Sequence, residues 1–321
     1  MSAPVRLTVD DVERAFRAVS SVLAPTPLRR AFSIEGEGWL KLECWQPTGS
    51  FKVRGAVSAL SALTAGERAR GVVAASAGNH ALGLAFAAQA LDLGVDVTLF
   101  VPESAPRAKV EKLRRFPVHV RQEGRDYDAA HALAAAHARH TGARYVHAFE
   151  QRATAAGQGT AALELLQQAP DLDTVLVPVG GGGLIAACAT VLKAHAPHVR
   201  VVAVQPEASP ALAESLRLGH AVLDYAARPT LADGLAGGVG EIAFEHRDLI
   251  DEVVMVSEAE IEEAMVALLA QDQVVAEGSG AVGVAALRSG RVRARGGRAV
   301  AVVTGANVDA PVLARLLAAR A

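Results

Sequence analysis

Cysteine is scarce in this chain: Cys44 and Cys188 are the only two in 321 residues. Two thiols cannot build a disulfide framework at this length, so a reducing, cytoplasmic setting is the expectation, with both cysteines as small buried apolar residues. Lysine is also rare, with five residues within a combined Lys and Arg count of 32. A lysine in a glycine-flanked apolar setting therefore stands out. Charge of one sign is not in excess. A formal net charge of −2 gives no support to nucleic-acid binding, which draws on a clustered basic surface. No uncharged apolar run reaches the roughly 18 residues a membrane span requires. The opening MSAPVRLTVDDVERAF carries acids and no apolar core, so it does not read as a signal peptide.

What is present is an ordinary globular composition, 51% hydrophobic and 21% charged, long enough for one large domain or two moderate ones. Short apolar, β-rich runs at residues 71–75, 95–101, 117–121, 174–179, 200–205, 252–257 and 298–303 alternate with alanine-rich helical stretches such as 81–91, 129–140, 153–168 and 258–271. That alternation predicts an α/β fold with mainly parallel sheets covered on both faces. Residues 234–240 form a glycine cluster whose length suggests a role beyond connection.

Four motifs carry chemistry. Residues 46–56 read QPTGSFKVRGA. Pro47, Thr48 and Gly49 make a turn, Ser50 is a candidate N-cap, and Lys52 falls in the first turn of a helix running towards Leu63. The positive helix end and the apolar neighbours Phe51 and Val53 push its amine towards the neutral form that imine chemistry requires. Taken alone, such a lysine reads as a surface residue of an amphipathic helix, and the other motifs must decide. Residues 72–80 read VVAASAGNH: a strand, then Ser76, Ala77, Gly78, Asn79 and His80 opening a helix near Ala81. Its exposed N–H groups suit a carboxylate, although a plain βα connection has the same look. Residues 175–187 read VLVPVGGGGLIAA. Gly180, Gly181, Gly182 and Gly183 let the backbone approach a ligand and turn its N–H groups inward, and the helix from Leu184 favours a phosphate. Residues 298–309 read RAVAVVTGANVD, delivering Thr304 to the carboxyl end of a strand, where ligands sit in doubly wound folds; a plain Thr-Gly turn is the simpler alternative.

In this order the four motifs resemble the threonine/serine dehydratase branch of the fold-type II pyridoxal-phosphate enzymes, the branch that includes serine racemase. The resemblance runs from Pro25 to Asp309 and is reinforced by AGQGT at 156–160, PTLADGL at 229–235 and AEGSGA at 276–281. It implies two doubly wound domains of the tryptophan synthase β type: residues 1–64 with 149–321 forming a large cofactor-binding domain, and 65–148 a small mobile one. It implies pyridoxal 5'-phosphate as cofactor, with Lys52 as the Schiff-base lysine that later moves the α-proton. Phe51 would pack beside the ring, Asn79 would hold its phenolic oxygen, Gly180 to Gly183 with Leu184 would bind the phosphate, and Thr304 would face the pyridine nitrogen. Ser76, Ala77, Gly78, Asn79 and His80 would receive the substrate carboxylate, and Glu277 and the loop at Asp233 would lie nearby. The implied activity is dehydration and deamination of L-threonine or L-serine to a 2-oxo acid and ammonia, by a homodimer or homotetramer with a small amino-acid substrate.

Departures from the family pattern narrow this. Racemases carry a second serine where this chain has Ala77, which has no proton to exchange, so a dehydratase is expected over a serine racemase. The racemase cation site uses carboxylates where Gln205, Ser209 and Ala211 stand, so no strong divalent metal site is expected. Residues 147–150, His-Ala-Phe-Glu, also depart from the family, which leaves threo-3-hydroxyaspartate and hydroxyectoine-derived compounds open as substrates. The chain ends at Ala321, and no feedback control by an appended regulatory module is expected. His131, His137 and His140 share an alanine-rich helix and are read as exposed; Arg29-Arg30 and Arg114-Arg115 read as solvated charge. A nicotinamide-dependent oxidoreductase would need G-x-G-x-x-G, which is not found. A non-catalytic binding module sits poorly with Lys52 beside the other motifs.

Overall fold

The computed structural model describes residues 6–36 and 38–319. Two sheets organise them. The larger has the order β1-β2-β10-β7-β8-β9 and the smaller β5-β4-β3-β6. The strands are β1 Leu28–Arg30, β2 Gly38–Lys41, β3 Val72–Ala75, β4 Val97–Val101, β5 His119–Gln122, β6 Arg144–Tyr145, β7 Leu172–Pro178, β8 Arg200–Pro206, β9 Glu252–Val256 and β10 Arg298–Val302. Every pairing is parallel except β1 with β2. The central strands β7, β8 and β10 are near-continuous apolar runs because both of their faces are buried. The seven strands expected from the alternation are present with ends shifted by one or two residues. The edge pair β1 and β2 and the two-residue β6 were not foreseen.

Helices cover both faces of each sheet: α1 Val9–Ser20, α2 Lys52–Ser61, α3 Ala65–Arg70, α4 Asn79–Leu91, α5 Arg107–Leu113, α6 Tyr127–Thr141, α7 Arg152–Gln168, α8 Gly183–His195, α9 Ala211–Leu218, α10 Glu241–Glu245, α11 Glu258–Asp272, α12 Gly278–Arg288 and α13 Ala310–Ala318. Their ends follow from local chemistry. Ser257 and Glu260 close a capping box on α11, and the Asp126 side chain caps α6 by accepting from the Ala129 N–H. One face of the large sheet packs on α7 and α8 and the other on α11 and α12. The small sheet packs on α4 and α2 on one side and on α6 on the other.

Helix α2 packs against both parts of this arrangement. Val53, Ala56, Val57 and Leu60 share the core of the small sheet, while its opposite side meets α7. A methyl on Gly157 of α7 would stand 2.6 Å from the Arg54 carbonyl oxygen, and one on Gly83 of α4 would stand 3.1 Å from the Lys52 carbonyl, so glycines permit both close approaches. Arg54 is fully buried. Its guanidinium grips Glu43 at 2.7 and 2.8 Å and Glu164 of α7 at 2.7 and 2.8 Å. Lys41 of β2 also reaches Glu164 and donates to the Thr26 carbonyl at 2.8 Å. Two cations and two carboxylates thus satisfy one another beneath the first turn of α2. The Arg54 charge outweighs burial and holds the Glu43 carboxyl at about 2.

Candidate active site

A cavity of about 990 Å³ lies between the carboxyl ends of the two sheets. Its walls include every residue that the sequence marked for cofactor or substrate: Phe51, Lys52, Ser76, Ala77, Gly78, Asn79, His80, Gly180, Gly181, Gly182, Gly183, Leu184 and Thr304. Residues as far apart in the chain as Phe51 and Thr304 are in hydrogen-bond contact there.

Lys52 begins α2. The Ser50 hydroxyl accepts its backbone N–H at 3.3 Å, but the N-cap is Phe51, one residue later than expected, because Phe51 already has helical dihedrals. The Lys52 ammonium lies over the Phe51 ring at 5.2 Å and donates to the Ala148 carbonyl at 3.2 Å. Burial lowers its pKa to about 8, only partly opposed by the Glu277 charge. A useful fraction of the amine is therefore neutral at ordinary pH.

The glycine run leaves β7 and enters α8. Among the described residues, none of the N–H groups of Gly180 to Leu184 donates to a protein acceptor. Their carbonyls are held from behind: Gly240 N–H donates to the Gly181 oxygen at 3.1 Å and Ala186 N–H to the Gly182 oxygen at 3.1 Å. Gly182 has φ +85, and a methyl on Gly181 would enter the Phe149 ring. The loop is a close-packed seat with N–H groups turned outward at a helix start, the arrangement that holds an anion.

The loop after β3 is looser. Ser76 N–H donates to the Phe100 carbonyl and Gly78 N–H to the Ser76 hydroxyl. The N–H groups of Ala77, Asn79, His80 and Ala81 have no protein acceptor among the described residues. Helix α4 starts at Asn79, two residues before the position expected from sequence, because these residues already turn helically. His80 is neither a cap nor a free base. It is buried, its Nε2 lies 3.0 Å from the Val146 carbonyl, and burial lowers its pKa to about 3.

A polar network crosses the cavity. Asn79 Nδ2 donates to Glu277 at 2.8 Å, and its Oδ1 accepts from Asn307 at 2.7 Å. Asn307 also donates its backbone N–H to Glu277 at 3.1 Å and accepts from Lys112 of α5 at 2.9 Å. Burial, with Asp233 adding to it, raises the Glu277 pKa to about 7. Thr304 is buried, with its hydroxyl 3.3 Å from the Ser279 carbonyl and its own carbonyl accepting from Phe51 N–H at 3.0 Å.

The family model for pyridoxal-phosphate dependent enzymes matches residues 19–305. The chain belongs to that family. Its cofactor is pyridoxal phosphate, and the residues present fit one. The unpaired N–H groups of 180–184 suit a phosphate, the half-buried low-pKa amine of Lys52 suits an aldehyde, and the Thr304 hydroxyl and the second Nδ2–H of Asn79 suit a pyridine nitrogen and a phenolic oxygen. The chain is 42% identical over 317 residues to an L-threonine ammonia-lyase of Thermotoga maritima, covering 97% of this chain and 78% of that one. Its fold superposes on the processed form of threonine deaminase isoform 2 from Solanum lycopersicum with a TM-score of 0.89 at 30% identity, covering 99% and 90% of the two chains. It superposes on maize serine racemase with a TM-score of 0.88 at 31% identity, covering 98% of each.

Several features of the family site were missed or misread from sequence. Asn307 lies in the quoted TGANVD run yet was given no role, because its partners come from distant segments. His131 is not a plain surface histidine: it lines the cavity, its Nδ1 lies 2.9 Å from the Tyr145 hydroxyl, and its ring meets His147 at 6.1 Å. His147 lies edge-on to Phe149 at 4.5 Å, and its pKa falls to about 4, chiefly through burial. Arg29 is not free in solvent but lies over Trp45 at 5.6 Å. Cys44 and Cys188 are buried, and burial raises both thiols to about 12. Gln205, Ser209 and Ala211 show no carboxylate cluster; the Gln205 carboxamide is instead fully hydrogen-bonded to backbone. No group of three or more His, Cys, Asp or Glu that could hold a metal ion occurs among the described residues. Among them no helix is long and apolar enough to cross a membrane.

Proposed function

We propose that this chain is an ammonia-lyase that removes the β-hydroxyl and the α-amino group of L-threonine or L-serine, giving a 2-oxo acid and ammonia. The observation that carries the reading is the meeting, in one cavity, of a half-buried lysine with a lowered pKa and two separate loops of unpaired N–H groups. The relatives' activities point the same way.

When bound, pyridoxal phosphate supplies an electron-withdrawing ring that acidifies the substrate Cα–H and allows the β-substituent to leave. The protein's own groups do the rest. Lys52 Nζ would hold the aldehyde carbon until the substrate amine replaces it there, and the freed amine would then move the proton at the substrate Cα, which its low pKa suits. The N–H groups of Gly180 to Leu184 receive the phosphate, and Phe51 packs beside the ring. Asn79 gives its second Nδ2–H to the phenolic oxygen. Thr304 would offer the ring nitrogen a hydroxyl and not a carboxylate, its one proton turning from the Ser279 carbonyl, so it would share a hydrogen bond without fixing a proton there, which favours prompt loss of the leaving group. The loop of Ser76, Ala77, Gly78, Asn79 and His80 receives the substrate carboxylate. Ala77 has no proton to exchange, which weighs against racemisation.

The same reading makes residues 65–148 a small lobe that closes over the cavity, with residues 1–64 and 149–321 as the fixed part. The Lys112–Asn307 and Asn79–Glu277 bonds bridge the two parts. The exposed Phe32 and Trp45 beside the edge strand β1 fit a homodimer or homotetramer, and the two buried, unpaired thiols fit the cytoplasm. The test is direct. Cofactor-loaded protein given L-threonine should release 2-oxobutanoate and ammonia in equal amounts, without D-serine from L-serine. Release of D-serine without 2-oxo acid would overturn the assignment.

A further inference from the structure

The glycine seat raises a structural question: what fixes the direction of its first N–H? In a parallel ladder a residue donates to one partner on the neighbouring strand and accepts from the residue two further along that strand. Val179 N–H donates to the Val204 oxygen at 2.9 Å, continuing the β7–β8 register in which Pro178 pairs with Val204. The next donor, to the Val179 oxygen, would be the N–H of residue 206. Residue 206 is proline and has none. Val179 is fully buried, so its carbonyl would be left without a partner at the point where the chain enters the glycine run.

The side chain of Gln205 fills that gap. It is fully buried, and its Nε2 donates to the Val179 oxygen at 3.3 Å and to the Ser209 oxygen at 3.4 Å. Its Oε1 accepts from the Leu212 and Ala213 N–H groups at 3.0 and 3.2 Å, in the first turn of α9. These two N–H donors fix which end of the amide faces Val179, because the reverse orientation would set donors against donors. Ser209 extends the brace: its hydroxyl accepts from Gly237 N–H at 3.1 Å and donates to the Gly237 oxygen at 3.2 Å, tying in the loop whose Gly240 supports the Gly181 carbonyl.

In a trans peptide the C=O and the following N–H point in opposite directions. Holding the Val179 oxygen on the β8 side therefore turns the Gly180 N–H to the opposite side, and Gly180 lines the cavity. We infer that Gln205 is a positioning residue of the phosphate seat, supplying through its carboxamide the hydrogen bond that Pro206 cannot and so aiming the Gly180 N–H at the ligand. Gln205 touches neither cofactor nor substrate; it acts through Val179. The inference rests on the proposed placement of the phosphate at residues 180–184.

The test compares pyridoxal 5'-phosphate with pyridoxal, which lacks the phosphate, by equilibrium dialysis against apoprotein. Gln205→Glu keeps an oxygen to cap α9 but removes the donor facing Val179. Gln205→Met removes both and keeps the length. The preference for pyridoxal phosphate over pyridoxal should fall about tenfold in each variant, the cost of one lost buried hydrogen bond, while pyridoxal affinity stays within about twofold of the parent. A merely structural role would lower both affinities together, and that result, or an unchanged preference, overturns the inference. If the parent protein shows no preference for the phosphate form, the phosphate placement itself is wrong, and the inference falls with it for that separate reason.

Discussion

The loops after β7 and after β3 share one feature with opposite mechanics. Both present unpaired N–H groups at a helix start. After β7 the backbone is crowded: a methyl on Gly181 would enter the Phe149 ring, and one on Gly180 would lie 3.0 Å from the Gly234 oxygen. Its carbonyls are braced by Gly240, Ala186 and Gln205. After β3 the loop is open, and a methyl on Gly78 would meet nothing within 4 Å. A seat for a resident group gains from being rigid, because a preorganised site loses little freedom on binding. A seat for a substrate that must arrive and leave gains from room to adjust. The shared neighbour of both is α2, held by Arg54 beneath Lys52.

Loosening that shared support should have the largest effect. Arg54→Met leaves Glu43 and Glu164 buried without their main cation, and should cost roughly 3–5 kcal/mol in urea unfolding, erasing the difference between the loops because both lose α2. The same cluster sets an acid limit. The Glu43 carboxyl is held at about 2, below its unfolded value of roughly 4.3. Its contribution to stability is complete above that unfolded value and is lost as pH falls from about 4 towards 2, worth on the order of 3 kcal/mol; unfolding measured across that window should show the loss in the parent and a smaller one in Glu43→Gln.

Next in size is Gly181→Ala, which forces Phe149 aside and should weaken pyridoxal phosphate binding by about 100-fold, read by dialysis, with little change in KM for L-threonine once the protein is saturated with cofactor. A smaller effect concerns Lys52. With its pKa near 8, the rate of cofactor loading on apoprotein should rise about tenfold per pH unit below 8 and level off above it, where an ordinary lysine near 10.4 would keep rising. Smallest is Gly78→Ala, placed in open space, which should change KM for L-threonine by less than about threefold and leave cofactor affinity alone. A Gly78→Ala protein that loses its cofactor would show that the two loops are not mechanically distinct.

The parts of this site legible in sequence are those written in consecutive residues. The glycine run, the SAGNH loop, the lysine after its turn and the threonine closing the last strand each carry a local signature, and so does the alternation that gives the two parallel sheets. What stayed hidden is set by pairing across the chain. Arg54 looks like one more helical arginine until Glu164, 110 residues away, is folded against it. Lys41 sits in a four-residue strand too short and too mixed to read, and Asn307 acquires its role from Asn79 and Glu277. The contacts of His131 with Tyr145 and His147 come from segments beyond its own helix, whose spacing suggests only an exposed face. Gln205 is the sharpest case: its position before Pro206 is visible in sequence, but the missing donor matters only once Val179 lies beside it.

In the proposed reading, one lysine of the five holds the cofactor. Borohydride reduction of the cofactor-loaded protein, followed by peptide mass spectrometry, locates that bond directly. The account predicts a phosphopyridoxyl group on Lys52 and none on Lys41, Lys109, Lys112 or Lys193. Modification of any of those four with Lys52 left free would contradict it.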